Sequence, residues 1–166
     1  KNNQGKGYAI KKGLKRSLNN KVIIFDGDME LNPLEIEKLM ILDRKKNIHF
    51  AMGYRFKNLN PIKSNFDWGN FIFTSFTNII FKSTAKDILC CAKSFYSEDL
   101  REYQISSNRF AIDAELSIAL MIKNGNAIIP QVMLNYVRRT KSEGKKLMIS
   151  DGWSILKKIL QMIRYF

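Results

Sequence analysis

Residues 21–28 read Lys21-Val22-Ile23-Ile24-Phe25-Asp26-Gly27-Asp28, and this stretch decides the fold. A short β-branched and aromatic run predicts a buried strand over Lys21 to Phe25. Two carboxylates just past its carboxyl end sit where open α/β sheets bind ligands. Like charges this close repel unless a positive group lies between them. A divalent cation does that well, and hard cations such as Mg²⁺ or Mn²⁺ take oxygen ligands. Glu30 follows two residues later and could supply a third oxygen, and a cation held there could hold a diphosphate. The same acid-x-acid spacing recurs at Glu35/Glu37 and Asp113/Glu115, and an acid pair at a strand end also serves as a solvated turn or a helix cap.

Outward from the strand, helical and extended patterns alternate. Gly5 to Leu18 predicts a helix with Ala9, Ile10, Leu14 and Leu18 on one side, stopped by Asn19-Asn20. Asn32-Pro33 predicts a helix start, with Glu35 and Glu37 near its positive end and Leu34, Ile36, Leu39, Met40 and Leu42 on its apolar side. A second strand is expected over Ile48 to Gly53, a loop over 54–64 and a helix over Asn65 to Lys82. Asp87 to Lys93 reads as a short strand, followed by a helix from Ser97. Asp113 to Lys123 reads as a helix, and Asn126 to Val132 as an edge strand interrupted by Pro130. A last helix begins near Asp151. The alternation predicts an α/β domain, a mostly parallel sheet with helices on its faces.

The 166 residues suit one domain, and 45% hydrophobic residues can fill its core. A net charge of +13 favours polyanionic partners: nucleic acid, anionic lipid headgroups or nucleotide phosphates. The lysines are scattered, and no aromatic-basic RNA-binding pattern or zinc-finger spacing is present, so nucleic acid is not the expected partner. One histidine nearly excludes a histidine metal cluster or a Ser-His-Asp triad. Cys90 and Cys91 are adjacent and expected to be reduced thiols in a cytoplasmic setting. No run approaches the roughly 20 apolar residues of a membrane span.

Five further segments stand out. Gly5-Lys6-Gly7 precedes a helix, where glycine amides can approach an anion and Lys6 adds charge; a plain turn is the alternative. Arg55, after Gly53-Tyr54, is either a plain surface arginine or a planar fork for phosphate. Asp113 and Glu115 at a helix start are either caps or a base that orients an acceptor. Arg138-Arg139, with Lys145 and Lys146, form a solvated loop or a cationic clamp on a leaving diphosphate. Residues 153–166 are basic and amphipathic, with Trp153, Leu156, Ile159, Leu160 and Ile163 on one side. They either lie on an anionic membrane surface or dock on the domain.

The order of these motifs resembles glycosyltransferase family 2, in particular the dolichyl-phosphate mannose synthase-like branch acting on polyprenyl phosphates. The resemblance runs from the Asn-x-Gly-Lys-Gly turn (Asn3 to Gly7) through Asp26-x-Asp28 with Glu30 and Pro33, then Gly53-x-Arg55-Phe56. Asp87, Cys91 and Lys93 follow, then Asp113-x-Glu115, then Tyr136 to Lys146. It implies a GT-A-like, Rossmann-like fold and an inverting transfer of sugar from a nucleoside-diphosphate sugar. Asp26, Asp28 and Glu30 would hold Mg²⁺ or Mn²⁺; Gly5, Lys6, Gly7 and Lys145 would contact the donor. Arg55 and Arg139 would share the leaving-group charge, and Asp113 would be the base for a hydroxyl acceptor. The acceptor would be a polyprenyl phosphate or another molecule, reached by peripheral contact with the cytoplasmic face of a membrane. Family members usually begin with strands carrying Asn-Glu and Asp-Asp-x-Ser segments, which are not found here. Residues 1–150 are therefore expected to be the C-terminal portion of an N-terminally truncated catalytic domain, with 151–166 as a terminal helix. Two other readings stand beside this one: an incomplete, inactive piece of such an enzyme, or a basic module binding polyanions or membrane surfaces.

Overall fold

A computed structural model describes residues 3–56, 65–125, 127–139 and 150–166. The loop expected over 54–64 and the cationic segment containing Lys145 lie mostly or wholly outside these residues. Four strands form one sheet: β1 (Lys21–Ile24), β2 (Phe50–Tyr54), β3 (Lys93–Tyr96) and β4 (Gln131–Met133), in spatial order β1-β3-β2-β4. β3 is antiparallel to both β1 and β2, while β4 is parallel to β2. Thus β1, β2 and β4 point the same way, and β3 is reversed between two of them. The sheet is mixed rather than built mainly of parallel pairs. One inserted strand makes two antiparallel pairings without changing the direction of the other three.

That shared direction positions the site. Asp26 and Asp28 follow β1, Arg55 follows β2, and Tyr136 to Arg139 follow β4, so all leave the sheet at one edge. β3 enters from the same edge, preceded by Asp87 and Cys91. The strand expected over Asp87 to Lys93 begins only at Lys93. Cys90 N donates to Asp87 O at 3.2 Å and closes a turn there. Asp87 is fully buried and held by side-chain donors, which removes it from the ladder.

Four α-helices are described: α1 (Lys6–Arg16), α2 (Asn65–Phe81), α3 (Ile112–Asn124) and α4 (Asp151–Met162). α3 is the central one. Every residue from Ile112 to Met121 is buried, which explains its apolar composition on all sides. It packs with Phe50, Met52 and Phe95 of the sheet, and α4 adds Ile155, Ile159 and Met162 to the same core. The apolar side expected for α4 is therefore partly wrong: Trp153 and Leu160 are exposed, while Ile155 and Met162 go inward.

Two expected helices are shorter turns. Pro33–Leu39 is a 3₁₀ helix, capped by Asn32 Oδ1 accepting from Leu34 N at 3.0 Å. Its inward side takes Glu35 and Leu39 and leaves Leu34 and Met40 in solvent. Glu35 is buried because Asn135 donates to it from both N (2.6 Å) and Nδ2 (2.8 Å). The helix expected from Ser97 is a single 3₁₀ turn to Leu100. α1 ends at Arg16, where Ser17 turns extended, so Leu18 falls outside the helix and is exposed. Among the described residues, no helix is long and apolar enough to cross a membrane. Cys90 and Cys91 are buried free thiols.

Candidate active site

The residues leaving the sheet edge surround a cavity of about 870 Å³, closed on one side by the start of α1 and by the turn into α3. Gly5, Lys6, Asp26, Asp28, Glu30, Arg55, Asp113 and Arg139 all line it. Of the site residues expected from sequence, Gly7 does not line it and Lys145 lies outside the described residues.

Lys6 is the keystone of the acidic side. Its Nζ lies 2.8 Å from both Asp26 Oδ2 and Asp113 Oδ2. Burial alone would lower its pKa, but the attraction of Asp113 and Asp26 outweighs this and raises it above the ordinary lysine value. Lys6 therefore remains an ammonium that ties the β1 exit to the start of α3. Asp113 is buried, and its Oδ1 has no hydrogen-bond partner among the described residues. A buried carboxylate oxygen without a donor is costly unless a ligand supplies one.

The glycines flanking Lys6 have a packing role. Gly7 N donates to Asn108 O at 2.9 Å, and Gly5 N takes Asn3 Oδ1 at 2.9 Å. A methyl at either position would run into the carbonyls of Ser107 or Asn108, and Gly5 also has φ +90°. Both amides are already bonded within the chain, so the expected amide cradle for an anion is not formed. Close passage of two backbones is what requires glycine here.

On the other side, Arg139 NH2 lies 2.8 Å from Asp28 Oδ2, and its backbone N donates to Glu30 Oε1 at 3.0 Å. Val137 N adds a bond to Glu30 O at 2.9 Å. Glu30 thus anchors the strand-exit segment after β4. Its expected place as a third metal ligand is not formed in this arrangement: among the described residues no three acids gather closely enough to hold an ion. Asp26 and Asp28 remain an all-oxygen pair on the cavity wall, and among the described residues Asp26 Oδ1 takes part in no ion pair or hydrogen bond. Mg²⁺-type ions are commonly held by one or two carboxylates plus substrate phosphates, so the pair fits such an ion without Glu30.

Arg55 is more committed than expected. Asp87 receives Nε at 2.8 Å, NH2 at 3.0 Å and the Arg55 backbone N at 3.3 Å, and Asn70 Nδ2 adds 2.9 Å. Burial works to lower the arginine's pKa, but Asp87 raises it well above the ordinary value, so the charge is permanent. Its guanidinium also lies 5.4 Å from the Tyr136 ring centroid. Arg55 therefore meets the cavity as a rigid, half-neutralised cation rather than an open fork. Arg138 is paired in a similar way with buried Asp67.

Sequence reasoning did not single out Asp67, Asn70 or Arg109, and quoted Asp87 and Tyr136 only as motif positions. Asp87 carried a signal, since an acid placed before the Cys-Cys-Ala-Lys run needs a reason to be buried. Arg109 carried none beyond its place four residues before Asp113. Glu115 acts behind the site. It accepts from Tyr103 Oη (2.8 Å), Ser106 N (2.9 Å), Ser106 Oγ (2.8 Å) and Ser107 N (2.8 Å), fixing the turn that forms one cavity wall.

No protein-family model matches the chain, and no curated protein matches it. Solved structures do. Glucosyl-3-phosphoglycerate synthase from Mycobacterium tuberculosis aligns with TM-score 0.73 at 14% identity, over 96% of this chain and 56% of that one. Its complex with Mn²⁺, uridine diphosphate and glucosyl-3-phosphoglycerate gives 0.73 at 15%, over 96% and 55%. The complex with uridine diphosphate alone gives 0.71 at 14%, over 96% and 55%. The chain thus spans little more than half the length of the structures it matches. At such identity the likeness concerns architecture: a mixed sheet flanked by helices, which is the GT-A fold of glycosyltransferases.

Proposed function

We propose that this chain contributes the diphosphate and acceptor side of a glycosyltransferase that moves a sugar from a nucleoside-diphosphate sugar. One observation carries the reading. Acids and cations from the ends of three co-directional strands converge with the start of α3 on a single cavity. Open α/β sheets bind ligands at that edge.

Asp26 and Asp28 would hold Mg²⁺ or Mn²⁺, and a cation bound there would stabilise negative charge on a departing diphosphate. Arg139, held by Asp28 at the same wall, would add positive charge beside a diphosphate bound there. Arg55, fixed by Asp87, adds a constant positive field to the same wall. Lys6 holds Asp113 in place through Oδ2. Asp113 Oδ1 is left to accept a proton from an attacking hydroxyl. If the acceptor is instead a polyprenyl phosphate, it is already ionised and needs no base. Attack opposite the leaving group gives inversion.

A lipid acceptor is supported by the outward side of α4. Trp153 and Leu160 are exposed there beside Lys157 and Arg164, a pairing suited to an anionic bilayer surface. Neighbouring α2 adds exposed Trp68, Ile72 and Ile79.

Calorimetric titration with uridine diphosphate tests the core reading. Binding is expected with Mn²⁺, to be lost with EDTA, and to fail in the D26N/D28N double variant. Binding that ignores metal and both substitutions, and falls steeply with salt, would instead mark a general polyanion module.

A further inference from the structure

Cys90 and Cys91 are the chain's only cysteines, and the proposed transfer uses neither. Both are buried free thiols. Cys91 reaches the cavity wall, while Cys90 is fully buried behind it. Their side chains are hydrogen-bonded to each other. Two sulfurs are thus held in contact, one of them facing a space that a small solute can enter.

The surroundings suit a reactive pair. Lys93 is fully buried, its Nζ donates to Cys90 O, and among the described residues it pairs with no carboxylate. A buried cation without an acid is costly unless another anion lies beside it. The Cys90 sulfur can be that anion. The hydrogen bond from Cys91 holds its pKa below the ordinary thiol value, against burial, and the charges of Arg55 and Lys93 act in the same direction. The same bond, together with burial, pushes the Cys91 thiol up. Reactive cysteines occupy such electropositive, partly accessible places.

Closing a disulfide here must move backbone. The peptide between the two residues is trans, which sets their Cα atoms about 3.8 Å apart, whereas ordinary disulfides span at least about 4.4 Å. The segment that would move carries the arginine clamp. Cys90 N donates to Asp87 O at 3.2 Å, and Ala92 O accepts from Gly53 N at 2.8 Å. Asp87 in turn takes three bonds from Arg55.

We propose that Cys90 and Cys91 are an oxidative-modification site, where hydrogen peroxide closes a disulfide that loosens the Asp87–Arg55 pair at the cavity wall. Nothing in this chemistry requires a sugar donor or a metal. The Cys91 sulfur attacks one peroxide oxygen and the O–O bond breaks. The departing hydroxide and the thiol proton leave as the first water. The Cys90 sulfur then attacks the Cys91 sulfenic sulfur, the S–O bond breaks, and a second water leaves with the Cys90 proton. The two sulfurs together lose two electrons, and the peroxide gains them.

The test treats the full chain with a stoichiometric amount of hydrogen peroxide. Intact mass should fall by two hydrogen atoms, and peptide mapping should place the loss in one peptide holding both cysteines. The melting midpoint should drop by about as much as in D87A, and dithiothreitol should restore both mass and midpoint. That reversal separates the disulfide from methionine sulfoxide, which the thiol does not reduce under these conditions. C90S should instead gain one oxygen at Cys91 and keep its midpoint, and C91S should react more slowly, because Cys90 has no face on the cavity. Oxidation of D87A should lower its midpoint by much less than it lowers the parent's, since the clamp is already lost. If D87A does not fold, R55M takes its place in that comparison. The proposal is overturned if the thiols stay unreacted, if the disulfide joins two chains, or if it closes without lowering the midpoint. It is equally overturned if C91S reacts as readily as C90S, or if the clamp variant loses as much on oxidation as the parent.

Discussion

Replacing Asp87 by alanine should destabilise the protein at least as much as removing the whole pair it belongs to. The Asp87 side chain is fully buried and accepts four bonds, three of them from Arg55. Its removal leaves a guanidinium in a site that retains only 20% of its side-chain exposure. Breaking a buried pair from one side costs roughly 3–5 kcal/mol, because the remaining charge stays desolvated. Partial exposure of Arg55 returns some hydration, so about 3 kcal/mol is expected. For a chain of this size that corresponds to a fall in melting temperature of about 6–12 °C. R55M removes the cation and leaves an apolar side chain between Phe56 and Tyr136. The R55M/D87A double variant should therefore be no less stable than D87A alone. Urea unfolding followed by circular dichroism would measure all three variants. The reasoning is refuted if D87A costs under about 1 kcal/mol, or if the two single costs simply add to within about 0.5 kcal/mol.

Two glycines of α1 should respond in opposite ways. G7A forces a methyl into the Ser107 carbonyl and should cost roughly 1–3 kcal/mol, whereas G13A, with open space around it, should gain about 0.5–1 kcal/mol of helix propensity, both read as shifts of the urea midpoint. Burial alone would raise the Glu115 pKa, but hydrogen bonds from Ser107, Ser106 and Tyr103 pull it below its ordinary 4.5. A folded-state pKa that is depressed contributes stability present above the unfolded value and lost as pH falls through the folded one. Unfolding between pH 6 and 3 should show that acid loss, and E115Q should flatten it while lowering stability at pH 6. K6Q should leave Asp113 and Asp26 without their shared cation and abolish transfer while Mn²⁺-dependent nucleotide binding persists, as separate activity and calorimetry assays would reveal.

Local sequence was enough to place the strand over Lys21 to Ile24, the acid pair behind it, the helix over 113–123 and the order of the charged motifs. These follow from side-chain periodicity and from the few residue types that tolerate a strand exit or a helix start, and both are properties of neighbours along the chain. The gathering of Lys6, Asp26, Arg55, Asp113 and Arg139 on one cavity was anticipated only through a resemblance of motif order. What tertiary structure alone decided is how those charges are spent. Asp87 takes Arg55 out of open solvent, and Glu30 binds a backbone amide instead of completing an ion site. Gly5 and Gly7 make room for another backbone, and Ile155 enters the core. Each outcome depends on a partner tens of residues away, and a hydrogen bond or a steric clash across that gap has no trace in local composition.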